Sequence, residues 1–161
     1  MNTIDRVYPL RGKEVHLQEV TDFVAVRNEP TVKPLRFRTL ESEVVDEALP
    51  QIRALRNAGW KFVPRQEAAE GAKVYLKSGG RVALGTNRLT VRVAGEHSLD
   101  EARELLQRRG LKILNQLKYA SNLFSVAVPP GHDVLEESTR LATSGDFEFA
   151  EPELIEVVPG R

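Results

Sequence analysis

The side chains able to do chemistry are few and poorly grouped. The histidines are His16, His97 and His132, with neither an HExxH pattern nor a pair at i, i+4, so a metal centre would have to be built from carboxylates or distant residues. They read as solvated loop and strand histidines. A Ser-His-Asp triad needs only to meet in space, yet no serine stands in a G-x-S-x-G setting, and Ser98 has a role as a helix cap. Lys77-Ser-Gly-Gly-Arg81 lacks the GKS/T order and following helix of a phosphate loop and reads as a hairpin turn. There is no cysteine, which excludes disulfides and thiolate-bound zinc. Catalysis, cofactor and metal are not expected.

Charge points elsewhere. The 161 residues carry 23 basic and 23 acidic side chains, but residues 1–85 hold 14 basic and 11 acidic ones and residues 86–161 hold 9 and 12. Between Asp133 and Glu156 lie Asp133, Glu136, Glu137, Asp146, Glu148, Glu151, Glu153 and Glu156 against Arg140 alone, which argues against a nucleic-acid or membrane surface there. The basic stretch Lys33–Arg38, with Phe37 between two arginines, reads as a solvated loop or the rim of a protein contact. No run of about 18 apolar residues spans a membrane, and no signal peptide opens the sequence, so the chain as written is expected in the cytoplasm.

The elements that must position these residues are clearest after residue 86. Leu89, Val91 and Val93 alternate with Thr90 and Arg92 as in a half-buried strand. Ser98 and Glu101 form an S-x-x-E capping box before the apolar stripe Leu99, Ala102, Leu105 and Leu106, and Gly110 suits the left-handed stop. Strands follow at Leu111–Ile113 and at Phe124, Val126 and Val128. A second helix begins at Asp133 and closes at Gly145, and Phe147 and Phe149 alternate in a last strand with both rings on the core side. The order β-α-β-β-α-β predicts an α+β, ferredoxin-like domain, an antiparallel sheet with both helices on one face. Residues 1–85 read as a smaller α/β module: strands at Val15–Val20 and Phe23–Val26, a linker at Pro30–Arg38, and a helical pattern from Val44 to Leu55 interrupted by Pro50. A strand from Trp60 to Val63 and a hairpin about Lys77–Gly80 complete it. Strand-helix-Gly-strand recurs at Phe23–Val63 and Leu89–Leu114, the mark of a divergent half-repeat or of shared helix-stop grammar.

The runs Asn87–Val93, Leu99–Gly110, Leu111–Leu114, Leu123–Pro129 and above all Phe147-Glu-Phe-Ala-Glu-Pro-Glu-Leu-Ile155 resemble the propeptide domain of subtilisin-like serine proteases, over about the last 75 residues. Residues 1–85 resemble the extra N-terminal module that some bacterial subtilases carry. The resemblance implies a non-enzymatic inhibitor and folding chaperone of a subtilisin-like protease, either released from a longer precursor or free-standing, and secreted or periplasmic if the precursor is exported. It implies that the open sheet face (Thr90, Arg92, Ser125, Ala127, Glu148 and Ala150) docks on protease helices, with Glu151 and Glu153 at their N-termini. The tail Glu156, Val157, Val158, Pro159, Gly160 and Arg161 would enter the substrate cleft. Pro159 falls where the scissile bond is expected and Glu156 where a hydrophobic residue is usual, so either the register slips and Arg161 takes the first specificity pocket, or the tail resists cutting. The rival reading is a ligand- or RNA-sensing or adaptor module. An RNA-reading sheet needs aromatic rings on its open face, where the strand parity puts none.

Overall fold

Alternation and helix caps become two compact units in the computed structural model, which describes residues 2–27, 43–68 and 70–157. The protein is mixed α+β, with antiparallel strand pairing and three α-helices among the described residues. One unit comprises residues 1–6, 16–85 and 154–161; the other comprises 7–15 and 86–153. The Lys33–Arg38 stretch, Val158, Pro159, Gly160 and Arg161 lie outside the described residues. No described helix is long and apolar enough to cross a membrane.

In the first unit, strand β2 (Lys13–Arg27) pairs with β3 (Trp60–Pro64) and β4 (Ala72–Leu76), and β4 with the start of β5 (Val82–Val93). The two strands expected at Val15–Val20 and Phe23–Val26 are this single β2, whose register against β4 shifts between Val20 and Val24. That irregularity explains the broken alternation: Val20 and Phe23, three residues apart, enter the same core. Helix α1 (Glu43–Asn57) contains Pro50 in its middle and contributes Ile52 and Leu55 to the core, with Trp60, Phe62, Val74, Leu76, Val82 and Leu84. Phe23 and Phe62 meet edge to face at 5.9 Å. Glu19, only 2 % exposed, is neutralised by Arg6 of strand β1 (Thr3–Leu10) and by Arg65 at 3.1 Å. The β4–β5 hairpin turns at Gly79 and Gly80, both with positive φ, as Lys77–Gly80 predicts.

In the second unit the pairing runs β8 (Phe147–Glu156), β5, β7 (Leu123–Ala127), β6 (Lys112–Gln116). Thr90 faces Ser125 and Leu89 faces Val126 across β5 and β7. Leu89, Val91, Val93, Phe124 and Val126 are buried on one side, with Ala102, Leu105 and Leu106 of α2 (Leu99–Arg108) and Leu135 and Leu141 of α3 (Val134–Thr143) also in the core. The capping box is formed: Glu101 N donates to Ser98 Oγ at 3.2 Å and Ser98 N to Glu101 Oε1 at 3.1 Å, the latter bond leading the causes that hold the Glu101 carboxyl below its ordinary range. At the other end Leu111 N bonds Leu106 O and Gly110 N bonds Gln107 O, the paired bonds of a Schellman stop with Gly110 at φ 76°.

The two strand-helix-Gly-strand stretches differ in connectivity. Arg27 pairs with Trp60 across α1, so β2 and β3 are antiparallel neighbours, whereas β7 lies between β5 and β6. What the stretches share is their helix ends, not a topology.

Helix α3 is anchored by Glu137, whose side chain is 7 % exposed. Burial pushes its carboxyl up, but His132 Nδ1 at 2.8 Å and the donating Arg140 Nη2 at 2.6 Å outweigh this and hold it below its ordinary value of 4.5. A depressed carboxyl stabilises the fold above its unfolded value and ceases to as pH falls through the folded one. Denaturation midpoints should therefore fall as pH drops below 4.5, and Glu137→Gln should show a shallower fall; parallel wild-type and variant curves would contradict the assignment. Gly110→Ala, forced into the left-handed region, is expected to cost about 1–2 kcal/mol in chemical denaturation.

Candidate docking face

The side of β5 and β7 opposite the core carries Thr90, Arg92, Ser125 and Ala127, as strand alternation requires once Leu89, Val91, Phe124 and Val126 are buried. Glu153 reaches over this side. Its Oε1 accepts from Thr90 Oγ1 at 3.0 Å and from Ser125 Oγ at 2.8 Å, while its carbonyl accepts from Thr86 Oγ1 at 2.6 Å. Ser125 is only 9 % exposed, so this carboxylate satisfies a hydroxyl that water scarcely reaches. Three of the sequence-selected residues, Thr90, Ser125 and Glu153, are thus one hydrogen-bonded group. Arg92 and Glu148 form a second, Nε to Oε2 at 3.2 Å.

Glu151 takes a partner that the sequence reading missed. Arg11 Nε donates to its Oε1 at 3.0 Å, and the Arg11 guanidinium stands 5.6 Å from the centre of the Phe149 ring. Arg11 comes from the turn between β1 and β2, where Arg11 (φ 49°) and Gly12 (φ 81°) make a two-residue loop with both residues left-handed. Residues 7–15 are part of the same unit as residues 86–153, so this hairpin tip completes the face. The signal was present as Arg-Gly between the extended runs Val7–Leu10 and Val15–Leu17.

Two positions correct the expected face. Ala150 is 2 % exposed and points into the protein, while Phe149, expected in the core, lies at the surface beside Arg11. The cause is a slip in alternation: Phe147 and Ala150, three residues apart, are both buried, so the residues between them both turn outward. The open side therefore does carry an aromatic ring, contrary to the parity argument. Arg11, Arg92, Tyr119, Leu123, Glu148 and Phe149 line a groove of about 430 Å³ there.

The tail also differs from a free ribbon. Leu154–Glu156 continue β8, Ile155 and Val157 pack against the core of the first unit, and Glu156 pairs with Lys77. Apolar residues at i and i+2 in an extended chain present one side, and here that side finds buried partners. Among the described residues no cluster of three or more His, Asp or Glu side chains could hold a metal.

No family model matches the chain, and no solved structure does. A calcium-dependent protease of Nostoc sp. (strain PCC 7120 / SAG 25.82 / UTEX 2576) is 35% identical over 72 residues, which is 44% of this chain and 11% of that protein. The chain is thus similar to a short part of a protease.

If Glu153 organises the face, Glu153→Ala leaves the Ser125 and Thr90 hydroxyls without their acceptor and should cost about 1–2 kcal/mol in denaturant unfolding. A variant with unchanged stability would show the carboxylate to be a passive lid.

Proposed function

We propose that the chain is a propeptide-like inhibitor, and folding assistant, of a subtilisin-like serine protease, with residues 86–161 as the inhibitory domain and residues 1–85 as an accessory module. The observation that carries the reading is the conjunction of a protease relative over 72 residues with an open sheet side, carrying Thr90, Ser125 and Ala127, that is edged by Glu148, Glu151 and Glu153. The pairing β8-β5-β7-β6 with helices α2 and α3 supports a ferredoxin-like layout for the second unit.

The physical basis is simple. Helix N-termini present unpaired N–H groups and about half a positive charge, so a carboxylate placed there contributes roughly 0.3–2 kcal/mol. Glu151 keeps Arg11 on Oε1 and Glu153 keeps Thr90 and Ser125 on Oε1, so each offers its second oxygen to such a terminus. Thr90, Arg92, Ser125, Ala127 and Glu148 supply the surface laid against the protease. A ligand that binds the folded protease and not the unfolded chain stabilises it by mass action, which makes an inhibitor a folding aid. Because Leu154–Val157 are held on the first unit, the substrate-like role in this proposal falls to Val158, Pro159, Gly160 and Arg161. That role needs main-chain pairing along a cleft edge, which an extended segment supplies without special side chains. A second reading, a ligand- or RNA-binding sheet, gains from the outward Phe149 ring.

Residual activity of a panel of subtilisin-like proteases, after incubation with the chain, tests the reading. Inhibition of at least one is expected, weakened about ten-fold by Glu151→Lys with Glu153→Lys, provided circular dichroism shows both forms folded. An inhibition constant indifferent to the double reversal would remove the helix-terminus role, and a panel untouched by the chain would remove the function.

A further inference from the structure

The groove differs from the rest of its face in that its cations are only part used. Arg11 donates through Nε to Glu151, Arg92 Nε pairs with Glu148, and neither guanidinium has another polar partner among the described residues. A guanidinium has five donors in one plane, so a carboxylate at Nε leaves the terminal nitrogens as a fork for a second one. Each internal carboxylate holds one Nε, which lowers the rotamer freedom its arginine still has to lose on binding. Around the two arginines stand the Phe149 ring beside Arg11 and Tyr119, 82 % exposed, with the buried Leu123 as the groove's floor. Exposed tyrosine and arginine in one groove are the residue types that most often anchor protein contacts.

We propose that this groove binds an acidic side chain presented by an otherwise apolar, extended segment of a partner protein. The carboxylate takes the terminal nitrogens of Arg11 and Arg92, and its apolar neighbours cover Phe149 and Tyr119. A polyanion fits less well: a row of phosphates would have to extend past the two arginines along Glu148, Glu151 and Glu153, while a single carboxylate reaches only the two forks. The site spans residues far apart in sequence and is incomplete without the tip of the first hairpin, which gives that segment a binding role. Only the identity of the partner rests on the function proposed above.

The full chain is titrated with acetyl-Leu-Glu-Leu-amide and with its Gln counterpart, following backbone amide shifts by NMR. The acidic peptide is expected to bind about five-fold tighter or better, with shifts centred on Arg11, Arg92, Tyr119 and Phe149, and Arg11→Gln or Arg92→Gln should each remove most of that preference. Arg11→Lys keeps the charge but not the fork, and should also weaken binding, which gives a reading if Arg11→Gln does not fold. Equal affinity for both peptides, unchanged binding in the arginine variants, or displacement of the peptide by a tighter-binding single-stranded RNA octamer would each overturn the proposal. Protease inhibition measured in parallel separates the two ideas. Peptide discrimination without inhibition of any subtilase leaves the groove and removes the partner, and inhibition without discrimination does the reverse.

Discussion

One carboxylate oxygen accepting two hydroxyls decides which way strand β8 faces. Glu153 Oε1 lies between Thr90 of β5 and Ser125 of β7, two residues that stand opposite each other in the register. A carboxylate over a poorly hydrated sheet side is costly unless it is hydrogen-bonded, and Oε1 accepts from both hydroxyls. With Glu153 turned outward, strand alternation turns Glu151 and Phe149 outward as well and Ala150 inward, which brings both groups within reach of Arg11. The position of the hairpin tip is thus tied to a bond made more than 70 positions away from its nearest strand partner in sequence, through nothing more than the period of a strand.

What could be read from the sequence was whatever local chemistry determines. Ser98 with Glu101, Gly110, Gly145 and the Leu89–Val91–Val93 alternation each specify structure through neighbours two to five residues away, and the helix ends and strands lie where those residues put them. Strand β1 was invisible because its apolar residues, Ile4, Val7, Tyr8 and Leu10, do not alternate regularly, and only Tyr8 of them is buried. The core side of β8 was misread past Phe147 because the slip that buries Ala150 has no residue signature; it follows from what the strand meets. The partners of the candidate face were only half legible. Glu148, Glu151 and Glu153 could be selected as a charged edge, but a carboxylate does not announce whether it will face solvent, a hydroxyl or a guanidinium. Arg11, more than 130 residues before them, enters through a turn whose Arg-Gly pair was readable and whose destination was not.

The acidic excess after Asp133 also acquires a different meaning. As a count it suggested a solvated or docking surface. In the folded protein Asp133 caps α3, Glu137 is buried between His132 and Arg140, Asp146 meets Arg109, and Glu148, Glu151 and Glu156 each have a basic partner. Most of the charge is consumed in local neutralisation, so the count of carboxylates overstates the negative field this region presents.

Glu19 carries a consequence of another kind. Arg6, Arg65 and, at 3.9 Å, Lys73 converge on this one buried group from three separate segments. Loss of the acid would leave the cations side by side without their counter-charge, and loss of one base would leave the buried carboxylate less fully compensated. A single acid thus ties three stretches that are strangers in sequence, and a substitution at position 19 is felt at positions 6, 65 and 73 together.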